Sequence, residues 1–498
     1  MIKENFEKGN WMGSNEIQLN ENGLTLKPDK AKVRDVLEFL LPSGSRKIKK
    51  LMECPDDQIE LYTNFKARWT ISVSILTQKF LSAIASLFTI LVAFWSIIQK
   101  FCYKYVLAAE FWVAPSRIIN FTDVQPRVRC SDWELLVPDD NADMNSHDRD
   151  FKYYSALTIM ASKLAYQDYS RSASIVEFVV NDCWQMKLID CRNFWNDFQN
   201  KATTHAIMFE NTHKDPNVTV IAFRGTSVLD INDWMVDLDF SWFLLEGKVG
   251  IHSGFMQALG YQKSGGWPKE LTDPKHEFAY YFLRQNLREI AKSNDNAKFI
   301  ITGHSLGGAL ATLFVTLLAY HNETILLDKI QAVYTFGQPR VGNQSFAQFM
   351  VDTFKTHDIK YYRYVYSFDL VPRIPFHSLA NFSYRHFGGC VYFDVFYNGK
   401  FLKEQPNTNY FSLIWVIPKY LSADWEFIRS LIITPIVKGR KYFEGFFTIM
   451  ERTVGLVIPG ISAHVCSNYV NLTRWGNIHL PPDHHELLKF AHYIEADY

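Results

Sequence analysis

A serine sits among glycines in Gly303-His304-Ser305-Leu306-Gly307, with Gly308 next. KFIITG (298–303), rich in β-branched residues, leads into it, and the apolar ALATLFVTLLAY (309–320) follows. A strand that becomes a helix at once must bend sharply, and flanking glycines relieve the crowding of that bend. Such a turn exposes the serine oxygen and aims a helix amino end at it, where developing negative charge is stabilised. This is the setting of a nucleophile for acyl transfer. The pentapeptide alone is a weak signal; between this strand and this helix it is a strong one.

A serine nucleophile needs a base, and the base needs an acid that orients it. With this elbow the chain order is serine, acid, histidine. Asp369 directly follows the strand-like YYRYVYSF (361–368) and fits the acid. Downstream stand His377, His386, His464, His479, His484, His485 and His492. His464, in the loop-like GISAHVCSNYVN (460–471), carries most of the weight. His484 and His485 are the substitutes, although they read as the first turn of a surface helix capped by Asp483.

An oxyanion needs two donors. The backbone N–H of Leu306 is one. Thr226, at the end of the strand-and-turn FRGT (223–226), offers a hydroxyl and an N–H for the other. Beyond it, NDWMVDLDFSWF (232–243) mixes aromatics with carboxylates, as a short amphipathic lid does.

The elements that must hold these residues alternate from about residue 150 onward. FKYYSALTIMASKLAYQD (151–168) and EFAYYFLRQNLREIAK (277–292) read as helices; VTVIAF, KFIITG, IQAVYTF and IKYYRYVYSF read as strands. Strand–helix alternation implies an α/β fold with a mainly parallel sheet, its chemistry gathered at the carboxyl ends of the strands. Residues 411–458 are apolar and aromatic with interrupting charges, and read as inserted amphipathic helices.

Upstream, FLSAIASLFTILVAFWSIIQ (80–99) is uncharged. Twenty helical residues measure about 30 Å, the thickness of a bilayer core. We read this segment as embedded in a lipid leaflet, with KFCYKYVLAAEFWVAP as an interfacial continuation. The expected organisation is a polar region over 1–70, a membrane-associating segment over 71–115, the hydrolase core over 116–396, a helical insert over 397–458, and the end of the core over 459–498.

The chain has 498 residues, 48% of them hydrophobic, with 52 basic and 52 acidic side chains. That balance gives no electrostatic reason for a nucleic-acid partner. Seven dispersed cysteines argue against a disulfide framework. No CxxC, HExxH or P-loop is present, so neither metal nor nucleotide cofactor is expected. Asn217-Val-Thr and Asn381-Phe-Ser adjoin expected core strands, poor places for glycans. A cytosol-facing enzyme follows.

Together FRGT, HSGF (252–255), ITGHSLGGALA, FGQPRVGN and SFDLVPRIP resemble the class 3 lipase family of fungal triacylglycerol lipases. The apolar segment upstream, the insert and AHVCSNYVNLTRWG are similar to the plant oil-body members of that family. The resemblance implies an α/β-hydrolase core, with Ser305, Asp369 and His464 as triad and Thr226 and Leu306 as oxyanion donors. It also implies acylglycerol hydrolysis on the cytosolic face of a lipid droplet or endoplasmic reticulum leaflet. A phospholipase or galactolipase would use the same triad, and a catalytically silent droplet-surface protein is the reading from another class.

Overall fold

The computed structural model describes residues 25–28, 30–41, 48–53, 64–65, 67–69, 71–76, 78–79, 146–167, 175–213, 217–225, 241–245, 249–263, 266–271, 275–375, 383–410, 412–433, 436–437 and 446–478. Two short strands, β1 (Thr25–Leu26) and β2 (Met52–Glu53), pair antiparallel near helix α1 (Val33–Leu40). Helix α2 spans Ser146–Leu164. The main sheet begins with β3 (Lys187–Asn196), β4 (Lys201–Asn211) and β5 (Val218–Phe223). A separate hairpin joins β6 (Trp242–Leu245) to β7 (Val249–His252).

The catalytic half then alternates, apart from a short helical turn at Thr324–Leu327: α3 (Ala279–Ser293), β8 (Lys298–His304), α4 (Leu306–Tyr320), β9 (Ile330–Phe336), α5 (Gln344–Thr356), β10 (Lys360–Tyr366). Strands β11 (Cys390–Phe393) and β12 (Gly399–Leu402) close the sheet. Helices α6 (Val416–Ile428), α7 (Phe446–Val457) and α8 (Cys466–Trp475) complete the fold.

Sheet order is β12-β11-β10-β9-β8-β5-β4-β3. The five central strands β5, β8, β9, β10 and β11 run parallel, while β3, β4 and β12 join antiparallel at the edges. This mixed, mainly parallel sheet with helices on both faces is an α/β-hydrolase fold. All six residues of β5 are buried, as a strand covered on both faces must be. One face packs on α3, α4 and α5 through Leu283, Leu313 and Phe354. The other packs on α2 and α8 through Leu157, Met160 and Leu472. Burying each large aliphatic side chain contributes about 1.5–3 kcal/mol.

The structure moves three expected boundaries. β12 lies inside the stretch read as helical insert, because Asn398-Gly399 turns the chain back on β11: Asn398 and Phe396 both donate backbone N–H bonds to Asp394 Oδ1. Ile71 and Ile75, read as the start of the membrane segment, are buried with Val36, Phe39, Trp242 and Tyr384, so the N-terminal part is docked on the core. Trp242 and Phe243, read as the end of a lid, open strand β6 instead. Residues 80–99 and 232–240 lie outside the described residues. Among the described residues no helix is long and apolar enough to cross a membrane.

Candidate active site

Ser305 stands between the last residue of β8 and the first of α4, at φ 59°, ψ −132°. Positive φ is costly for a residue with a Cβ, and the surrounding packing holds it there. A Cβ on Gly303 would lie 2.1 Å from the Gly307 backbone, and one on Gly307 would lie 2.2 Å from Phe223 O. The glycines are therefore required by helix-to-strand contact as well as by the turn. The Ser305 N–H donates to Phe336 O at 2.8 Å, which ties the elbow to β9.

The elbow, the acid loop and the helix-borne histidine meet in one hydrogen-bonded chain. His464 Nε2 lies 2.8 Å from Ser305 Oγ. His464 Nδ1 lies 2.8 Å from Asp369 Oδ2 and 3.0 Å from Oδ1. A carboxylate accepts only, so Nδ1 carries the proton and the Nε2 lone pair faces the serine hydroxyl. That is the base-ready tautomer. All three side chains are buried, Asp369 completely.

Asp369 is fixed by further donors. The Val371 N–H reaches Oδ1 at 2.9 Å, and the Tyr469 hydroxyl donates to Oδ2 at 2.5 Å. Burial, and then the Asp369 charge, push the Tyr469 phenol well above its ordinary value, so it remains a donor. Arg373 braces the acid loop from below: its guanidinium donates to Asp369 O, to Ser367 O at 3.0 Å and to Asn407 O at 2.7 Å. Gly337, at φ 60°, lies under the pair, where a Cβ would come within 2.8 Å of the His464 ring and 3.0 Å of Asp369 Oδ2.

His304 and Tyr166 form the opposite wall. His304 Nε2 donates to His464 O at 3.0 Å, so Nδ1 accepts from the Tyr166 hydroxyl at 2.8 Å. Burial foremost, then the neighbouring His464, hold the His304 pKa well below the ordinary imidazole range. Its ring stays neutral.

Ser305, Asp369 and His464 thus converge, and Leu306 opens α4 beside the serine. Thr226 lies outside the described residues; the chain reaches it from Gly225, where a Cβ would sit 3.0 Å from Ser305 Cβ. His386 is engaged elsewhere, with Nε2 2.7 Å from Pro372 O. His377, His479, His484, His485 and His492 lie outside the described residues. Sequence reasoning missed Tyr469, His304, Gly337 and Arg373. Tyr469 was within view, in the Tyr-Val-Asn run after His464, but a ring at that spacing reads equally as core. Among the described residues no group of three His, Cys, Asp or Glu side chains could hold a metal ion.

An α/β-hydrolase sheet with a serine elbow and a buried histidine–carboxylate pair defines the serine hydrolase class. Residues 220–379 match the Lipase (class 3) family. Triacylglycerol lipase OBL1 of Arabidopsis thaliana is 39% identical over 338 residues, covering 64% of this chain and 64% of its own. Triacylglycerol lipase OBL1 of Ricinus communis is 39% identical over 344 residues with the same coverage. The chain therefore spans about 64% of the length of these curated relatives. A solved triacylglyceride lipase of Rhizomucor miehei aligns at 24% identity and a TM-score of 0.38, covering 50% of this chain and 81% of its own.

Proposed function

We propose that the protein is an acylglycerol ester hydrolase, a triacylglycerol lipase. The observation that carries this reading is the unbroken Ser305–His464–Asp369 hydrogen-bond chain at the elbow. Ser305 Oγ attacks the ester carbonyl while His464 Nε2 takes its proton. Asp369 holds Nδ1–H and stabilises the imidazolium. The Leu306 N–H and Thr226 hold the tetrahedral oxyanion; one such donor contributes about 3 kcal/mol to lowering the barrier. His464 then protonates the leaving glycerol oxygen. Water, activated by the same imidazole, releases the fatty acid and restores Ser305. No cofactor takes part.

The substrate class is acylglycerol, as the named plant relatives and the apolar composition support. The working place is the cytosolic face of a lipid droplet or endoplasmic reticulum leaflet, with residues 80–99 embedded in it. A droplet is bounded by a monolayer around oil, so that segment lies in one leaflet and does not cross. Purified protein should release fatty acid from emulsified triolein, and Ser305→Ala should abolish both this release and labelling by a fluorophosphonate. Full activity in Ser305→Ala would sink the proposal, and a preference for phosphatidylcholine or galactolipid over triolein would redirect it.

A further inference from the structure

Helix α6 is built inside out. Its inward stripe, at helical spacing, is Lys419, Ser422, Ala423 and Glu426, all buried. Its outward side carries Leu413 and Ile414 from the preceding turn, 86% and 85% exposed, with Ile417 and Leu421 at 72% and 62%. A surface helix in water places its apolar stripe inward. Here two of the helix's three charges, Lys419 and Glu426, are drawn inside and satisfied there, while Asp424 is exposed. Lys419 Nζ donates to Tyr410 O and sits 4.2 Å above the Tyr410 ring. Glu426 accepts from Arg429 at 2.6 Å, from Arg452 of α7 at 3.1 Å, and from the Tyr366 hydroxyl.

Helix α7 repeats the pattern. Arg452 is buried, while Val457 and Ile458 at its carboxyl end are 73% and 45% exposed. The Tyr420 hydroxyl reaches Val457 O at 3.3 Å, so the two apolar ends form one face. Neither 411–418 nor 453–460 contains a charged residue.

This face adjoins the site. Trp415 packs on Phe368, the neighbour of Asp369, at 5.7 Å between centroids. The chain runs from Ile458 through Gly460, whose carbonyl accepts from the Leu370 N–H at 3.4 Å, straight to His464. Arg452 also donates to Ser462 O at 3.0 Å and to Asn468 Oδ1 at 3.0 Å. One buried guanidinium thus joins the helix pair to the loop that carries the histidine.

We propose that the face formed by Leu413, Ile414, Ile417, Leu421, Val457 and Ile458 docks into the acyl layer of a lipid surface beside the site. This inference rests on the acylglycerol reading above for the identity of that surface. Three features favour an acyl layer over a second copy of the chain: exposed apolar residues opposite buried charges on both helices, absence of charge from 411–418 and 453–460, and continuity with the segments that carry Asp369 and His464. Apolar groups exposed in water gain about 25 cal/mol per Å² on entering an apolar layer.

The test uses the full chain carrying Ser305→Ala, on triolein droplets coated with phosphatidylcholine that includes a diazirine-bearing acyl chain. After irradiation, peptides covering 412–421 and 453–460 should carry the label. Ile417→Asp with Leu421→Asp should cut that labelling tenfold or more, and Val457→Asp, on the other helix, should also reduce it. With Ser305 restored, the two aspartates should slow hydrolysis of droplet triolein tenfold or more and leave a dissolved short-chain ester within twofold. Unlabelled peptides, labelling indifferent to the aspartates, or cross-links only to a second chain would each overturn the docking. Failure of the parent protein to hydrolyse any ester would overturn the proposed function alone, because the labelling needs no chemistry.

Discussion

His304 lies against His464, with ring centroids 4.6 Å apart and planes 28° from parallel. The residue before the nucleophile is therefore a shelf for the base. Its Nε2–H also holds the His464 carbonyl, so ring and backbone are fixed by one neighbour. A shelf that stays neutral does not repel the imidazolium formed during turnover.

Neutral buried histidines make stability fall in acid. His304 is held well below the ordinary imidazole value of 6.5, and His321 is lowered to about 4, in both cases chiefly by burial. Below pH 6.5 the unfolded chain takes up protons that the native rings refuse, so stability present above that pH is lost as pH falls towards 4. Each such group contributes a slope of about 1.4 kcal/mol per pH unit. Urea denaturation across this window should show the loss, and His321→Gln should flatten it. A slope unchanged by that substitution would contradict the assignment.

Replacing the acid should disable turnover without unfolding the protein. Asp369→Asn keeps the shape but reverses the tautomer preference of His464, and kcat should fall about 10⁴-fold. Circular dichroism should stay native. A loss under tenfold would remove Asp369 from the proposed role.

Tyr469→Phe removes the hydrogen bond donated to Asp369 and the longer one, at 3.3 Å, accepted from the Tyr366 N–H. A hydrogen bond to a charged group contributes about 1.5–3 kcal/mol, so kcat/KM should drop tenfold or more. Without that donor the Asp369 charge is less dispersed and favours imidazolium more strongly. The acidic limb of the pH–rate profile should therefore move to higher pH. A drop in rate with an unmoved limb would mark Tyr469 as packing only.

The Glu426–Arg452 pair is fully buried, and removing Arg452 leaves Glu426 with Arg429 as its remaining cation. Arg452→Met should cost about 1.5–3 kcal/mol. Arg452→Met with Glu426→Gln should recover part of it. Both should lower kcat more than they change KM, since Ser462 O, near His464, keeps only the Asn468 amide as donor. Additive losses in a double-mutant cycle would refute the coupling.

The elbow was legible because glycine spacing, a β-branched run and an apolar run adjoin without a gap. Asp369 was legible from its position after a strand. His464 was favoured by its loop-like setting and strengthened by the resemblance, since seven histidines follow Asp369 and periodicity does not rank them. Strands β3 and β4 escaped notice because KLIDCRNFWN alternates imperfectly and bulges at Leu188/Asp190 and Phe194/Trp195. The docking of Val36, Phe39, Ile71 and Ile75 on Trp242 and Tyr384 left no local mark, being decided by tertiary contact alone. The insert read correctly as helical, but polarity in the sequence does not say which stripe faces inward. The structure turns Lys419 and Glu426 inward.

The eighth and last strand of the sheet ends at Leu402, yet the proposed base arrives only with His464. A chain emerging from synthesis can therefore assemble its whole strand scaffold, with Ser305 already poised, before it can deprotonate that serine. The inside-out helix pair is made in the interval. The order of residues thus puts the exposed apolar residues Leu413, Ile414, Ile417 and Leu421 ahead of the proposed base in synthesis.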